Sequence, residues 1–112
     1  MTDMKRLLLL LLLPACSGDA SQGSTDGPKV FETMCAACHG PRGQPAEAMA
    51  VRLGVRDLTA PEFRARVTPE LVEKQVRAGS TNRLMPAFGG ALTDAQIKAV
   101  AAYVASPSFF AK

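Results

Sequence analysis

Two cysteines and a histidine stand together in the segment Cys35-Ala36-Ala37-Cys38-His39. Thiols at this C-x-x-C-H spacing share one helical turn, so each can add to one vinyl group on the same edge of a porphyrin. The imidazole that follows the second thiol then lies under the ring, where it can bind iron from the proximal side. The spacing therefore predicts that Cys35 and Cys38 attach a c-type haem covalently and that His39 is an iron ligand.

The same cysteine spacing also occurs in structural disulfides, in thioredoxin-like redox pairs and in one half of a zinc site. A zinc site needs further Cys or His ligands, and His39 is the only histidine in the chain. A thioredoxin-like pair needs a βαβ setting, which the sequence does not indicate. Haem attachment is therefore the interpretation that the motif favours.

A second iron ligand is expected in the segment Arg83 to Gly90, RLMPAFGG. A loop rich in Pro and Gly can approach a flat ring closely and present a side chain to it, here Met85. The alternative is that Met85 only fills space in the core, as methionine often does. Met34 lies too close to the thiols to reach the far face, and Met49 belongs to a segment expected on the near face. Met85 is preferred because c-type electron carriers use His/Met ligation.

The N-terminal residues 1–15 have the features of an export signal. A positively charged start precedes an unbroken run of leucines at 7–13, which is too short for a bilayer-spanning helix of about 20 residues. The run ends in Leu13-Pro14-Ala15-Cys16, which resembles the lipobox of bacterial lipoproteins. We expect cleavage before Cys16 and its acylation, which would hold the protein on the periplasmic side of a bacterial membrane. An ordinary signal peptide and a disulfide from Cys16 are the alternatives.

Residues 16–27, CSGDASQGSTDG, are small and mostly polar. Such a stretch buries too little apolar surface to offset its ordering entropy, so we expect a flexible tether. The folded domain is then residues 28–112, which is short enough that a covalently held haem would supply part of its apolar core. The formal net charge is only +3, which gives no reason to invoke nucleic acid as a partner.

The fold class expected for this domain is all-α, with about three helices and long loops around one haem. The first helix begins near Pro28, which suits a first helical position, and runs into the haem motif. Residues 41–61 are expected to be mostly loop, although residues 46–53 could wind into a short helix. No segment shows a convincing strand pattern.

The second and third helices carry clear start and stop signals. The second has Thr68 as its N-cap and Pro69 at its first position, and Gly79 follows as its C-cap. The third opens with Thr93-Asp94-Ala95-Gln96, a capping box. It ends at Ser106-Pro107, because the residue before a proline disfavours the α region.

Together these motifs resemble the class I monohaem cytochromes c, in a lipid-anchored bacterial form. The resemblance covers residues 28–110 and rests on CAACHG, on DLT at Asp57 to Thr59, and on MPAF followed by LTDAQIKAVAAYV. It implies one covalent haem c with thioethers from Cys35 and Cys38, His39 as the proximal ligand and Met85 as the distal ligand.

The resemblance also implies two supporting contacts. Phe31 and Tyr103 are expected to meet where the first helix packs against the last. Many relatives use the carbonyl of a proline after the haem motif to accept a hydrogen bond from the ligand histidine. Pro41 and Pro45 are both available for this role beside His39.

By the same resemblance the protein is an electron carrier and not an enzyme. A low-spin haem with both axial positions filled would pass single electrons between a membrane or periplasmic donor and an oxidase or reductase. We expect redox proteins and the membrane as partners, and no small-molecule substrate. Arg42 and Arg83 are expected to steer partners. Small apolar residues are expected to form the docking contacts: Ala36, Ala37, Ala87 and Phe88.

Two alternatives come from other functional classes. One is a haem-based sensor or a peroxidase-like catalyst, in which Met85 is a labile ligand and the iron has an open position. The other is a haem-free lipoprotein whose Cys35–Cys38 pair forms a disulfide. Carbon monoxide binding would favour the first, and a mass without haem would favour the second.

Overall fold

The computed structural model describes residues 24–109, and helices are the only regular structure within that range. The helices are α1 Gly27–Met34, α2 Ala36–His39, α3 Glu47–Leu53, α4 Pro61–Arg66, α5 Pro69–Ala78 and α6 Asp94–Ala105, followed by a 3-10 turn at Pro107–Phe109. The predicted all-α class is confirmed. The three helices expected from the sequence correspond to α1, α5 and α6.

The N-terminal ends of α5 and α6 are fixed by side-chain caps that the sequence predicts correctly. The Thr68 hydroxyl accepts a hydrogen bond of 3.1 Å from the Leu71 N–H at the start of α5. At the start of α6, the Gln96 N–H donates to the Thr93 hydroxyl over 3.1 Å, and the Thr93 N–H donates to the Gln96 side chain over 3.0 Å. These bonds satisfy N–H groups that a helix cannot pair internally.

The core forms where α1 crosses α6. Gly27 permits the close approach, because a Cβ atom there would lie 2.6 Å from the Ala99 carbonyl oxygen and 2.7 Å from the Tyr103 Cβ. The buried apolar side chains of these two helices are Val30, Phe31, Ile97, Val100, Ala101 and Val104. They remove enough apolar surface from water to hold the two helices together.

An aromatic cluster closes one end of this core. The ring centroids of Phe31 and Tyr103 are 6.0 Å apart, in edge-to-face geometry, which confirms the expected contact between the first and last helices. Phe109 joins them from the 3-10 turn, with centroid distances of 5.2 Å to Phe31 and 5.1 Å to Tyr103. Edge-to-face pairs add to the stabilisation that comes from buried area alone.

The stretch between α2 and α5 contains more helix than the sequence indicates. Helix α3 at residues 47–53 matches the short helix considered for residues 46–53. Helix α4 begins at Pro61, the last residue of the segment expected to be mostly loop, and continues to Arg66. Helix α4 has no side-chain N-cap. It is held instead by tertiary contacts, because Phe63 is buried and Arg64 donates hydrogen bonds to the carbonyl oxygens of Val104 (2.7 Å) and Ser106 (3.0 Å).

The first described helix includes the last residue of the predicted tether. Gly27, assigned to the tether from its composition, is the first residue of α1 and is buried against α6. The predicted signal peptide, Cys16 and residues 17–23 of the predicted tether lie outside the described range. Among the helices of residues 24–109, none has the length and apolar character needed to cross a membrane.

Candidate haem site

The two thiols and the imidazole lie on one short turn that continues directly from α1. The Cys35 N–H donates to the Phe31 carbonyl over 2.9 Å, so the chain leaves α1 still hydrogen-bonded to it. The His39 N–H then donates to the Cys35 carbonyl over 3.0 Å and closes the turn of α2. Because Phe31 is fixed in the core, the turn that carries Cys35, Cys38 and His39 is anchored to the most buried part of the domain.

Both cysteines of this turn are free thiols. Cys35 is half-buried and packs against the core, whereas Cys38 is exposed. Burial, and to a smaller degree the neighbouring Cys38, raises the pKa of the Cys35 thiol to about 11. The Cys35 side chain is therefore a neutral thiol at physiological pH.

His39 is held in one tautomer by a main-chain carbonyl. Its Nδ1 lies 3.0 Å from the carbonyl oxygen of Arg56. A carbonyl oxygen can only accept, so Nδ1 carries the proton and Nε2 keeps its lone pair. Burial lowers the pKa of His39, and the nearby Arg56 charge lowers it further against the opposing effect of the hydrogen bond. The neutral ring with a free Nε2 is the form in which histidine binds a metal ion.

The partner of His39 differs from the sequence expectation, which offered the carbonyls of Pro41 and Pro45. The chain turns sharply after α2, where the Gly43 N–H donates to the Gly40 carbonyl over 3.0 Å. The Gly43 carbonyl then accepts a 2.8 Å bond from the Leu58 N–H. This contact brings the segment that contains Arg56 alongside α2. The Arg56 carbonyl therefore accepts the His39 hydrogen bond that was expected to go to a proline carbonyl.

Met85 lies in the loop between α5 and α6, which returns onto the end of α5. The Phe88 N–H donates to the Val76 carbonyl over 2.8 Å, and the Ser80 N–H donates to the Met85 carbonyl over 3.0 Å. Met85 is half-buried and packs against the same apolar core as Cys35. A surface cavity of about 340 Å³ opens beside it, lined also by Ser80, Arg83 and Pro86.

The residues around the site fit a large apolar group. Helix α3 buries none of its side chains, and Val51 and Leu53 on it are 76% and 39% exposed. Leu84, next to Met85, is 52% exposed. Exposed apolar side chains such as these would be stabilised if a flat apolar ring covered them.

The donor set also fits iron held in a porphyrin better than a bare metal ion. Within residues 24–109 there is no group of three or more His, Cys, Asp or Glu side chains that could hold a metal ion. The chain offers one imidazole, from His39, and a methionine thioether, from Met85, which are axial ligands. The four equatorial nitrogens of a porphyrin would complete such a site.

Three residues that act at this site were missed by the sequence analysis. Arg56 acts through its main chain, for which the sequence gives no direct signal. Ser80 and Asn82 hydrogen-bond within the Met85 loop, and the run Gly-Ser-Thr-Asn has the composition of a turn that such side chains stabilise. The side chains of Arg42 and Arg83, predicted to steer partners, are exposed.

The chain is similar to known proteins in both sequence and structure. Residues 23–104 match the family described as "Cytochrome C oxidase, cbb3-type, subunit III". Cytochrome c6 of a Synechococcus species is 37% identical over 116 aligned positions, which cover 94% of this chain and 95% of the relative. Cytochrome c6 of Gloeothece citriformis is 42% identical over 91 positions, covering 81% of this chain and 74% of the relative.

Solved structures give the same result. The KustC0563 c-type cytochrome superposes with a TM-score of 0.65 and 30% sequence identity. The superposition covers 78% of this chain and 99% of that one. The agreement therefore extends over nearly the whole of the solved protein.

Proposed function

The chain belongs to the class I monohaem cytochrome c family, and we propose that Cys35, Cys38, His39 and Met85 hold the single covalent haem c through which it transfers electrons. Cys35 and Cys38 would form the thioethers, His39 would be the proximal ligand and Met85 the distal one. The protein is an electron-transfer haem protein and not an enzyme. The sensor or peroxidase-like alternative is not favoured by these relatives.

The observation that carries this proposal is the state of His39. Its Nδ1–H is already donated to the Arg56 carbonyl, so only Nε2 is available to bind iron. The hydrogen bond also fixes the rotation of the ring and raises the basicity of Nε2. Since the two thiols lie on the same turn, a porphyrin attached to them brings its iron to this imidazole.

Bound haem iron supplies reversible one-electron exchange between its ferrous and ferric states. The residues of the chain set the conditions for that exchange. Met85 offers a neutral thioether, which favours the ferrous state, and it fills the position that a substrate would need. The aliphatic and aromatic core behind Cys35 and Met85 limits the access of water on that side.

The chain exchanges electrons with redox protein partners, and we place the contact surface at the exposed turn of α2 and the neighbouring loop. Ala37 and Cys38 on the turn are exposed, as is Ala87 in the loop. Small side chains of this kind allow a partner to approach closely. Arg42 and Arg83 are exposed and would attract acidic partners, so the association rate should fall as salt concentration rises.

The visible spectrum and the intact mass test the proposed haem attachment. The chain is expressed together with haem-attachment machinery, and its mass should rise by one haem. The ferrous protein should show c-type bands, and the ferric protein the weak long-wavelength band of methionine-ligated iron. The Cys35→Ser, Cys38→Ser double variant should carry no covalent haem, because both attacking sulfurs are gone. A covalent haem in that variant would contradict the proposal.

The lipobox-like sequence that ends in Cys16 supports a lipid anchor on an exported protein. The full chain should be found in the membrane fraction and be released by detergent, because two or more acyl chains hold a protein firmly on a bilayer. The Cys16→Ala variant should lose the added lipid mass and the detergent requirement. Ser17→Ala is the matched control, and an equal loss of membrane binding in both variants would argue against acylation of Cys16.

A further inference from the structure

The loop that presents Met85 is closed by two hydrogen bonds between the same pair of residues. The Ser80 N–H donates to the Met85 carbonyl over 3.0 Å. In return, the Met85 N–H donates to the Ser80 hydroxyl oxygen over 3.0 Å. Both main-chain groups of Met85 are therefore bound to Ser80, and one of these bonds depends on the Ser80 side chain.

Asn82 extends this arrangement from within the loop. Its Oδ1 accepts a 2.6 Å bond from the Ser80 hydroxyl and a 3.0 Å bond from the Leu84 N–H. The Ser80 hydroxyl has one hydrogen, and donating it to Asn82 leaves an oxygen lone pair for the Met85 N–H. Hydrogen bonds that are connected in this way polarise and strengthen one another.

The loop adopts a conformation that needs such support. Arg83 has φ of 63°, in the left-handed region that residues other than glycine rarely occupy. Its N–H donates to the Ser80 carbonyl over 3.0 Å, so the strained residue lies inside the ring closed by Ser80 and Met85. Without the side-chain bonds, the loop would relax toward conformations that do not strain Arg83.

On its other side the loop packs against the end of α5. A Cβ atom on Gly79 would lie 2.6 Å from the Met85 carbonyl oxygen and 2.8 Å from the Ala87 nitrogen. The main chain of Met85 is therefore held between the Gly79 backbone and the Ser80–Asn82 pair. The Cα position and the Cα–Cβ direction of Met85 are therefore fixed by a main chain that is held on both sides.

We propose that Ser80 and Asn82 are positioning residues that lock the Met85 loop and so strengthen the bond from the Met85 sulfur to the haem iron. This inference rests on the proposed role of Met85 as the distal ligand. A neutral thioether is a weak ligand compared with imidazole. The fraction of time that the loop spends in its binding conformation therefore decides how well the Met85 sulfur resists displacement by an added ligand. Ser80 and Asn82 raise that fraction.

The affinity of ferric protein for added imidazole measures this effect directly. Ser80→Ala and Asn82→Ala should each bind imidazole about tenfold more tightly, the change expected when a hydrogen bond worth about 1.4 kcal/mol no longer holds the competing methionine. In both variants the long-wavelength methionine band should disappear at lower pH than in the unmodified protein. Helix content should be unchanged, because neither side chain belongs to a helix.

Conservative variants test the chemistry of the side chains. Ser80→Thr keeps the hydroxyl and Asn82→Asp keeps the acceptor oxygen, so both should bind imidazole with nearly the affinity of the unmodified protein. Thr81→Ala is the matched control, an exposed position between the two. Equal imidazole affinity in Ser80→Ala, Thr81→Ala and the unmodified protein would overturn the inference, as would an equal increase in Ser80→Ala and Thr81→Ala.

Failure of the inference can be told from failure of the proposed function. If the unmodified ferric protein lacks the methionine band, Met85 is not the ligand and the proposed ligation is wrong. If the band is present and is lost in Met85→Ala, yet Ser80→Ala and Asn82→Ala behave like the unmodified protein, only the role of Ser80 and Asn82 is wrong.

Discussion

Replacing Met85 with alanine is expected to abolish the long-wavelength band of the ferric protein and to let the ferrous protein bind carbon monoxide. Alanine has no sulfur to offer, so the distal position of the iron is left to water or to an added ligand. The reduction potential should fall by on the order of 100 mV, within the range of about 0.8 V that axial ligands set, because the thioether that favours ferrous iron is gone. Redox titration and a carbon monoxide difference spectrum measure both effects.

Met49 provides the control for this experiment. It is a half-buried methionine on α3, in a segment expected on the near face of the ring. Met49→Ala should keep the methionine band and should not bind carbon monoxide at neutral pH. A band that survives in Met85→Ala and disappears in Met49→Ala would contradict the assignment of the distal ligand.

Replacing Gly27 with alanine is expected to lower the free energy of unfolding by about 3 kcal/mol, at the upper end of the usual cost of overpacking. The new Cβ would lie 2.6 Å from the Ala99 carbonyl oxygen, which belongs to the main chain of α6 and cannot rotate away. Helices α1 and α6 would have to separate, although alanine itself favours a helix more than glycine does. Urea denaturation of the haem-loaded protein measures the change.

Gly90→Ala is the matched control for this substitution. A Cβ at Gly90 meets no atom within 4 Å, so the free energy of unfolding should stay within about 0.5 kcal/mol of the unmodified value. Similar losses in both variants would mean that the close crossing of α1 and α6 is not what makes Gly27 important. A stable Gly27→Ala variant would lead to the same conclusion.

The elements that the sequence predicts well are those whose ends carry their own chemistry. Helix α6 has a complete capping box, and α5 has a threonine cap with a following proline, so both could be placed from local residues. Helix α4 lacks a side-chain cap and is held by Phe63 and Arg64 through contacts with distant parts of the chain. Such contacts have no local pattern, which is why the sequence does not indicate a helix at residues 61–66.

At the haem site, too, the residues with a local sequence signal could be predicted and those placed by distant contacts could not. Cys35, Cys38 and His39 lie within five consecutive residues, so their spacing alone predicts a shared turn. The partner of His39 could not be found in this way, because the Arg56 carbonyl reaches the ring only through the pairing of Leu58 with Gly43. Every residue has a main-chain carbonyl, and the path of the folded chain decides which of them lies beside the His39 ring.

That arrangement affects how position 56 can change during evolution. The group that supports His39 belongs to the main chain, so no amino acid substitution at this position removes the acceptor itself. The exposed guanidinium of Arg56, which stacks 5.8 Å from the centre of the Phe63 ring, is a separate feature. A substitution at position 56 can therefore change the charge that acts on the pKa of His39, while the main-chain acceptor that holds the ring is inherited unchanged.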